Sequence, residues 1–187
     1  MAGEGYLLLY LDSPFQSWGY SSKFDRRSTY GFPTKSGIIG LISAAMGTPK
    51  NNREKLEKLC RLKMNAYVLK SGILSVDYHT VGAGYDSDPD KKLKMVPKAN
   101  QNTPDPVQTW KEYLADAKYG VILYGEFELL SQCAQKLNDP IWGIWLGRKC
   151  CIPASPVFQG LFDSETESLA KLKELSGKEP SAMRKLV

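Results

Sequence analysis

A continuous apolar run, Y-L-L-L-Y-L, covers residues 6–11 near the start of the chain. A strand that is buried on both faces has no polar side, so this run predicts a central strand of a sheet. Residues 64–69 and 73–81 are also strand-like, and Ser71-Gly72 between them predicts a hairpin. A further strand is predicted at residues 119–127.

The first helix is predicted just after a long loop that ends near residue 32. Thr34 or Ser36 can cap this helix, and Gly47 followed by Pro49 would stop it at about residue 46.

Further helices follow from helical spacing of apolar residues. They are predicted at residues 53–61, 107–117 and 129–137, with a weak helix at 168–175. In the 107–117 segment Trp110, Tyr113 and Leu114 would share one helical face. The weak helix shows no obvious face for a core.

In chain order the main predicted elements are strand, helix, strand, strand, helix and strand, with extra pieces between them. This is the order of the ferredoxin-like β-α-β-β-α-β domain, so the predicted fold class is α+β. Long irregular segments lie at 12–32, 82–106 and 141–160, and loops of this length are often functional. The segment 82–106 is rich in Gly, Asp, Pro, Asn and Lys. It predicts either a projecting arm or a region that is disordered without its partner.

The chain has 187 residues, a formal charge of +5 and an ordinary globular balance of apolar and charged residues. Basic residues are concentrated between residues 26 and 70 and again between 91 and 98, whereas acidic residues collect at 86–90 and in the last part of the chain. Clustered positive charge favours a polyanionic partner, although a solvated lysine-rich surface explains it equally well.

Export, membrane insertion and metal binding are not indicated. The N-terminus has no signal-peptide pattern, and the run at 6–11 is far too short to cross a bilayer. The four cysteines are Cys60, Cys133, Cys150 and Cys151, with no C-x-x-C pair and no neighbouring histidine. The sequence therefore predicts a cytoplasmic protein with reduced thiols, without a metal and without a cofactor.

The start of the first helix carries the most specific chemistry. The unpaired N–H groups of a first helical turn attract anions, and here Thr34, Lys35, Ser36 and Gly37 follow a loop with Arg26 and Arg27. A nucleotide-binding P-loop does not fit, because its G-x-x-x-x-G-K-[ST] spacing is absent. The expected ligand is therefore a phosphate group, and hydrolysis of a nucleoside triphosphate is not predicted.

Aromatic and basic residues alternate along the loop that leads to this helix. The rings are Trp18, Tyr20, Phe24, Tyr30 and Phe32, and the cations include Lys23, Arg26 and Arg27. Rings that stack on bases and cations that pair with phosphates are typical of single-stranded RNA binding. Trp18 and Phe32 are also expected to be at least partly buried. Arg148 and Lys149, in a later loop, add a weak signal of the same kind.

His79 is the chain's only histidine and lies at the end of a predicted strand. It could act as the general base of a metal-free ribonuclease, with Tyr78 or a lysine as the acid. The favoured interpretation is a structural role or a polar ligand contact, because the sequence shows no positioned catalytic partner.

Five segments occur in an order that closely resembles the CasD family, a subunit of type I-E CRISPR Cascade complexes. They are S-P-F-Q-S-W-G at 13–19, F-P-T-K-S-G-I-I-G at 32–40, D-Y-H-T-V at 77–81, T-W-K-E-Y-L-A-D-A at 109–117 and L-G-R-K-C-C at 146–151. The resemblance runs from about residue 6 to residue 160 and is specific because the motifs are ordered.

The resemblance implies a RAMP-type ferredoxin-like domain at 1–160 with a projecting thumb at about 82–106. It implies a non-catalytic subunit that binds the 5′ handle of crRNA, caps the complex beside the backbone and large subunits, and meets target DNA through the assembled complex. A related branch cleaves precursor RNA, so a metal-independent endoribonuclease that processes repeat RNA stays open as the alternative.

Carried onto this chain, the resemblance implies a set of RNA contacts. They are Trp18, Lys23, Arg26, Arg27, Thr34, Lys35, Ser36, Gly37, His79, Arg148 and Lys149, with the last two approaching from the other side of the sheet. Lys91, Lys92, Lys94 and Met95 of the thumb would contact crRNA and the neighbouring subunit. Residues 161–187 depart from the family pattern and are expected to form a charged tail, either a truncation or a linker to another domain.

Overall fold

The computed structural model describes residues 3–23, 25–81, 107–178 and 184–185. The central strand is β1 (Glu4–Asp12), which pairs along its whole length with β8 (Lys118–Glu126). The first sheet has the order β10-β5-β8-β1-β9, with β5 at Lys63–Lys70, β9 at Phe158–Phe162 and β10 at Arg184–Lys185. All of its pairs are antiparallel. The predicted α+β class is thereby confirmed.

Both faces of β1 are buried, which explains its continuous apolar run. Leu7, Leu9 and Leu11 lie in a core with α1 (Lys35–Ala45) and α3 (Phe127–Asn138). Leu8 and Tyr10 lie in a second core on the opposite face. Alternate side chains of a strand point to opposite faces, so two covered faces require an apolar residue at every position.

The C-terminal segment covers that second face, contrary to the expectation of a tail without a core face. Helix α4 (Glu165–Ser176) begins after the N-cap Ser164 and buries Leu172 completely. Asn65 Nδ2 and Tyr67 Oη both donate to Glu165 Oε1, at 2.8 and 3.0 Å. The weak apolar pattern of α4 is enough to hold the helix on the sheet, because a few of its leucines pack against an apolar sheet face. The boundary predicted at residue 160 falls within β9.

A second, smaller sheet carries the rest of the strands. Its order is β2-β7-β4-β3, with β2 at Phe15–Gln16, β3 at Ser22–Lys23, β4 at Arg26–Arg27 and β7 at Val107–Ala115. Strand β6 (Ile73–Val81) pairs with the other edge of β7 in nine antiparallel pairs. Strands β4 and β7 are parallel.

The helix predicted at 107–117 is wrong, because this segment is strand β7. Its spacing of Trp110, Tyr113 and Leu114 suits a helix, but in the sheet Tyr113 and Leu114 are buried on opposite faces. Pairing with β2, β4 and β6 supplies hydrogen bonds and cross-strand contacts such as Tyr78 with Trp110, whose ring centroids are 5.3 Å apart. Such tertiary pairing outweighs a local helical pattern.

The hairpin predicted between 64–69 and 73–81 is also wrong, although both segments are strands. Strand β5 pairs with β8 and β10, whereas β6 pairs with β7 in the other sheet. The chain changes sheets at Gly72, where a side chain would come within 2.8 Å of Ala117 Cβ. Gly72 therefore allows the chain to pass close to Ala117 as it leaves β5 for β6.

The other helices lie where the sequence predicts them. Helix α1 runs between Thr34 and Met46, α2 occupies Arg53–Arg61, and α3 covers the segment predicted at 129–137. In the described part of the chain, no helix has both the length and the apolar character needed to cross a bilayer.

Candidate nucleic-acid interface

The start of α1 is an exposed helix N-terminus without an acidic residue in its first turn. Thr34, and not Ser36, is the N-cap, since its Oγ1 accepts a hydrogen bond from the Gly37 amide at 3.2 Å. Ser36 Oγ lies 3.3 Å from Thr34 Oγ1. The amides of Lys35 and Ser36 have no acceptor within the helix and can receive an anion.

The Lys35 ammonium links this helix start to the end of α2. Its Nζ donates to the Cys60 carbonyl at 2.7 Å, and the side chain stays exposed. A cation is favoured at a helix C-terminus, so the contact fixes the position of the charge without neutralising it. The charge therefore remains available beside the start of α1.

Trp18, predicted as an RNA contact, lies in the core instead and is 1% exposed. Its Nε1 donates to Gln16 Oε1 at 3.2 Å, and its amide donates to Thr29 Oγ1 at 2.7 Å. A side-chain carbon on Gly37 would come within 2.9 Å of the indole, so Gly37 lets α1 pack on Trp18. The tryptophan offers no face to a base.

Arg148 is held inside the fold by the backbone of two strands. Its Nη1 donates to the Glu112 carbonyl at 2.6 Å and its Nη2 to the Arg27 carbonyl at 2.8 Å. The guanidinium also lies 4.6 Å from the centre of the Tyr113 ring. Two N–H donors of Arg148, which were expected to contact RNA, therefore bind the loop to β4 and β7.

The loop around Arg148 lies beside α1 and not on the other side of the sheet. Ser36, Gly37 and Arg148 all line one cleft of about 430 Å³. The Lys149 ammonium is exposed and lies 5.8 Å from the centre of the Trp145 ring. The structure therefore brings the two predicted groups of contacts to one place.

Three rings in contact form a row on the surface next to this cleft. Tyr20 and Tyr30 have centroids 4.2 Å apart, and Tyr30 and Phe32 have centroids 5.4 Å apart. Tyr20 is 56% exposed and Tyr30 is 41% exposed, whereas Phe32 is half-buried as expected. We call these three residues the aromatic row.

A groove of about 500 Å³ runs along Tyr30 and Phe32 of the aromatic row and is bordered by two lysines. They are Lys35 and Lys63, the second of which lies at the first position of β5. Sequence reasoning missed Lys63, because it comes from a strand 28 residues further along the chain than Lys35. Only the pairing of β5 with β8 brings it to the groove.

A buried tyrosine hydroxyl holds the loop that carries the aromatic row. Tyr119 Oη donates to the Gly31 carbonyl at 2.7 Å, and burial raises the pKa of Tyr119 to about 12. The pKa of Tyr113 is also raised to about 12, mainly by burial and then by its contact with Cys150. Both phenols stay protonated at neutral pH and act as donors or packing groups.

The remaining predicted contacts are spread more widely. Lys23 pairs with Arg26 through the backbone of β3 and β4, Arg26 is exposed, and Arg27 is half-buried. His79 is exposed on β6, and its carbonyl accepts a hydrogen bond from Thr109 Oγ1 at 3.3 Å. The thumb contacts Lys91, Lys92, Lys94 and Met95 lie outside the described residues. Within the described ranges, no cluster of His, Cys, Asp and Glu is suited to a metal.

Comparisons with known proteins identify the family to which this chain is similar. A family model described as CRISPR-associated protein (Cas_Cas5) matches residues 6–184. The CRISPR system Cascade subunit CasD of Escherichia coli (strain K12) is 32% identical over 170 residues, which cover 84% of this chain and 71% of that protein.

Two solved structures have similar chains. One, described as a CRISPR RNA-guided surveillance complex, gives a TM-score of 0.70 at 33% identity and covers 82% of this chain. The other, described as the crystal structure of a Cas protein, gives 0.64 at 33% identity and covers 88% of this chain. The chain spans 61% of the length of the first of these chains and 69% of the second.

Proposed function

Because the chain belongs to the Cas5 family of CRISPR-associated proteins, we propose that it is the Cascade subunit that binds the 5′ handle of crRNA. The aromatic row with its two lysines carries this proposal. Exposed rings give faces on which unpaired bases stack, and lysines beside them pair with the intervening phosphates. The helix start of α1 adds N–H groups and hydroxyls for a further phosphate.

The strand order supports a ferredoxin-like domain of the RAMP type. Strands β1, β5, β8 and β9 with helices α1 and α3 follow the β-α-β-β-α-β order, and the sheet order β5-β8-β1-β9 is antiparallel. Strands β6 and β7 are inserted between the second and third of these strands. We propose that they form the base of the thumb, since residues 82–106 connect them.

Strand β6 is proposed as a contact with a neighbouring protein subunit of the complex. Leu74, Val76 and Tyr78 occupy alternate positions of β6 and are each more than half exposed. An exposed edge strand with a row of apolar side chains is unusual in a monomer and is typical of a surface that another chain covers. Target DNA would be reached through the assembled complex.

Replacing Leu74 and Val76 together by Ser is expected to weaken assembly with the other Cascade subunits by about tenfold or more. The free energy of unfolding of the free chain should change little, because both side chains are exposed. Binding to the remaining subunits, measured by fluorescence with a labelled chain, checks this. Ile73→Ser, an exposed residue on the other face of β6, is the matched control. Wild-type assembly by the double variant would contradict the proposed contact.

Replacing Lys35 and Lys63 together by Ala is expected to weaken binding of crRNA handle RNA by about tenfold. If both ammonium groups meet phosphates, the slope of log K against log salt should become shallower by ~1.4, because each phosphate contact with a single strand contributes about 0.7. Affinity is measured at several salt concentrations. The control variant, Lys70→Ala with Lys171→Ala, removes the same charge at the far end of β5 and on α4.

Equal affinity and equal salt dependence of the two double variants would argue against the groove as the RNA site.

We further propose that the chain is non-catalytic. Incubation with repeat RNA in EDTA is then expected to leave the RNA intact. Specific cleavage that His79→Ala abolishes would establish the alternative, a metal-independent endoribonuclease.

A further inference from the structure

A pocket of about 570 Å³ lies between α4 and the segment at residues 155–159, where the chain enters β9. The residues that line it are Tyr10, Ser155, Pro156, Phe158, Gln159, Lys171 and Leu175. None of them lines the groove of the aromatic row or the cleft beside α1. The pocket is therefore a separate cavity, which the proposed RNA contacts do not use.

The lining of this pocket has an apolar part and a polar part. Apolar surface comes from Pro156, Phe158, Leu175 and the ring of Tyr10. A hydroxyl, an amide and an ammonium group come from Ser155, Gln159 and Lys171. Among the described residues that line the pocket, none is acidic. A ligand with a carboxylate and an apolar body matches this division, because the polar groups can all donate hydrogen bonds.

The hydroxyl of Ser155 shows an unmet hydrogen bond at the pocket. Its Oγ is buried and has no hydrogen-bond partner in the described part of the chain. The residue as a whole is only half-buried, so rotation about its Cα–Cβ bond can turn the hydroxyl towards the pocket. A buried hydroxyl without a partner is unfavourable, and a ligand that accepts its hydrogen bond removes that cost.

A β-bulge brings Gln159 to the pocket. The register between β1 and β9 shifts between Leu8 and Leu9, and Gln159 is the extra residue on β9. Its Nε2 donates to the Pro156 carbonyl at 2.5 Å, which holds the amide in place and leaves a second N–H for a ligand. Bulges often redirect a side chain beside a functional site. Gln159 is therefore a second donor whose position does not come from regular strand pairing.

The positive charge of the pocket comes from Lys171 on α4. Its Nζ donates to Oε1 and Oε2 of Glu174, both at 3.0 Å, and its side chain is 34% exposed. An ion pair that is open to solvent contributes little to stability. The carboxylate of a ligand can therefore share the ammonium group with Glu174 or take its place.

We propose that this pocket binds a small carboxylic acid with an apolar body. The carboxylate accepts hydrogen bonds from Lys171, Ser155 and Gln159, and the apolar body lies against Phe158 and Leu175. This site is independent of the proposed RNA-binding function, because the lysines of the groove do not line it.

Titration of the full chain with three probes tests the proposal. Hexanoate, hexanol and hexylamine share one apolar chain and differ in their head group, and NMR follows the backbone amides of residues 155–159 and 171–175. Hexanoate should bind about tenfold more tightly than hexanol, because hydrogen bonds to a charged group are the stronger ones. Hexylamine should bind more weakly than both, since Lys171 repels it. Equal affinity of hexanoate and hexanol, or shifts confined to other residues, would overturn the carboxylate site.

Lys171→Met and Lys171→Arg form a matched pair, in which only arginine keeps the charge. Hexanoate affinity should fall to that of hexanol with methionine and should be kept with arginine. Glu174→Gln leaves Lys171 without its ion pair and should raise hexanoate affinity about threefold. Selectivity for hexanoate that survives in Lys171→Met would overturn the proposal.

Ser155→Ala separates binding from folding. It should weaken hexanoate binding about tenfold, because one hydrogen bond to the carboxylate is lost. The Tm of the free chain should equal or exceed that of the wild type, because the variant lacks the unpartnered hydroxyl. A lower Tm with unchanged hexanoate affinity would show that this hydroxyl serves the fold and would overturn its role in the site.

Discussion

Replacing Gly147 by Ala is expected to lower the free energy of unfolding by about 3 kcal/mol or more, because two separate costs add at this residue. The first is its backbone, which has a φ of 110°. Residues with a side chain rarely adopt this conformation. The second is steric, since a side-chain carbon would lie 1.9 Å from the Ser17 carbonyl oxygen.

The loop around Gly147 cannot move away without losing other contacts. The Ser17 amide donates to the Leu146 carbonyl at 3.0 Å, and the next residue, Arg148, is hydrogen-bonded to the backbone of β4 and β7. Relief of the clash would break at least one of these bonds. The expected loss of stability therefore includes the loss of contacts that hold the 143–148 loop beside α1.

Thermal and denaturant unfolding check this prediction. A loss of about 3 kcal/mol corresponds to a fall in Tm of about 6–12 °C for a chain of this size. Gly40→Ala is the matched control, because it adds the same methyl group where nothing packed lies within 4 Å. That control should be as stable as the wild type or up to ~1 kcal/mol more stable, since alanine favours a helix. Equal stability of the two variants would show that the loop adapts to the added methyl group.

Elements whose signals are local could be predicted from the sequence. The apolar run of β1 and the cap and stop residues of α1 each lie within a few positions of the element that they define. Strand β7 could not be predicted this way, because its hydrogen bonds come from strands more than 25 residues away. Long-range pairing also explains why β5 and β6 do not form a hairpin, since each pairs with a strand of a different sheet. Pairing between distant segments decides a strand more than its own periodicity does.

The candidate site shows the same difference between local signals and long-range contacts. Thr34, Lys35 and Ser36 are contiguous and share a helix start, so their anion-binding chemistry could be predicted. The direction of Arg148 could not, because its acceptors are backbone carbonyls of two other strands. Lys63 and Trp145 reach their positions only through the sheet and the 143–148 loop. The residue types of the site can be predicted from the sequence, but the tertiary fold decides which of them face a ligand.

Trp18 is the clearest case of an RNA-type residue that the fold uses for its own stability. Its indole is 1% exposed and packs directly against Gly37 at the start of α1. Replacing Trp18 by Ala is therefore expected to cost about 3–5 kcal/mol of unfolding free energy, the usual range for a large aromatic residue in a core. Trp18→Phe, which keeps a ring, should cost less and should bind handle RNA with wild-type affinity under conditions in which it is folded.

A double-mutant cycle with Gly37 separates packing from ligand binding. In the wild-type background, Gly37→Ala is expected to cost about 1–2 kcal/mol, because its methyl group would lie 2.9 Å from the indole. In the Trp18→Ala background the same methyl group enters the space left by the indole, and its cost should disappear. Denaturant unfolding of the four proteins gives the coupling energy. Additive costs would contradict the direct packing of Trp18 on Gly37. A loss of RNA affinity in folded Trp18→Phe would return Trp18 to the RNA-contacting residues, because packing alone does not predict that loss.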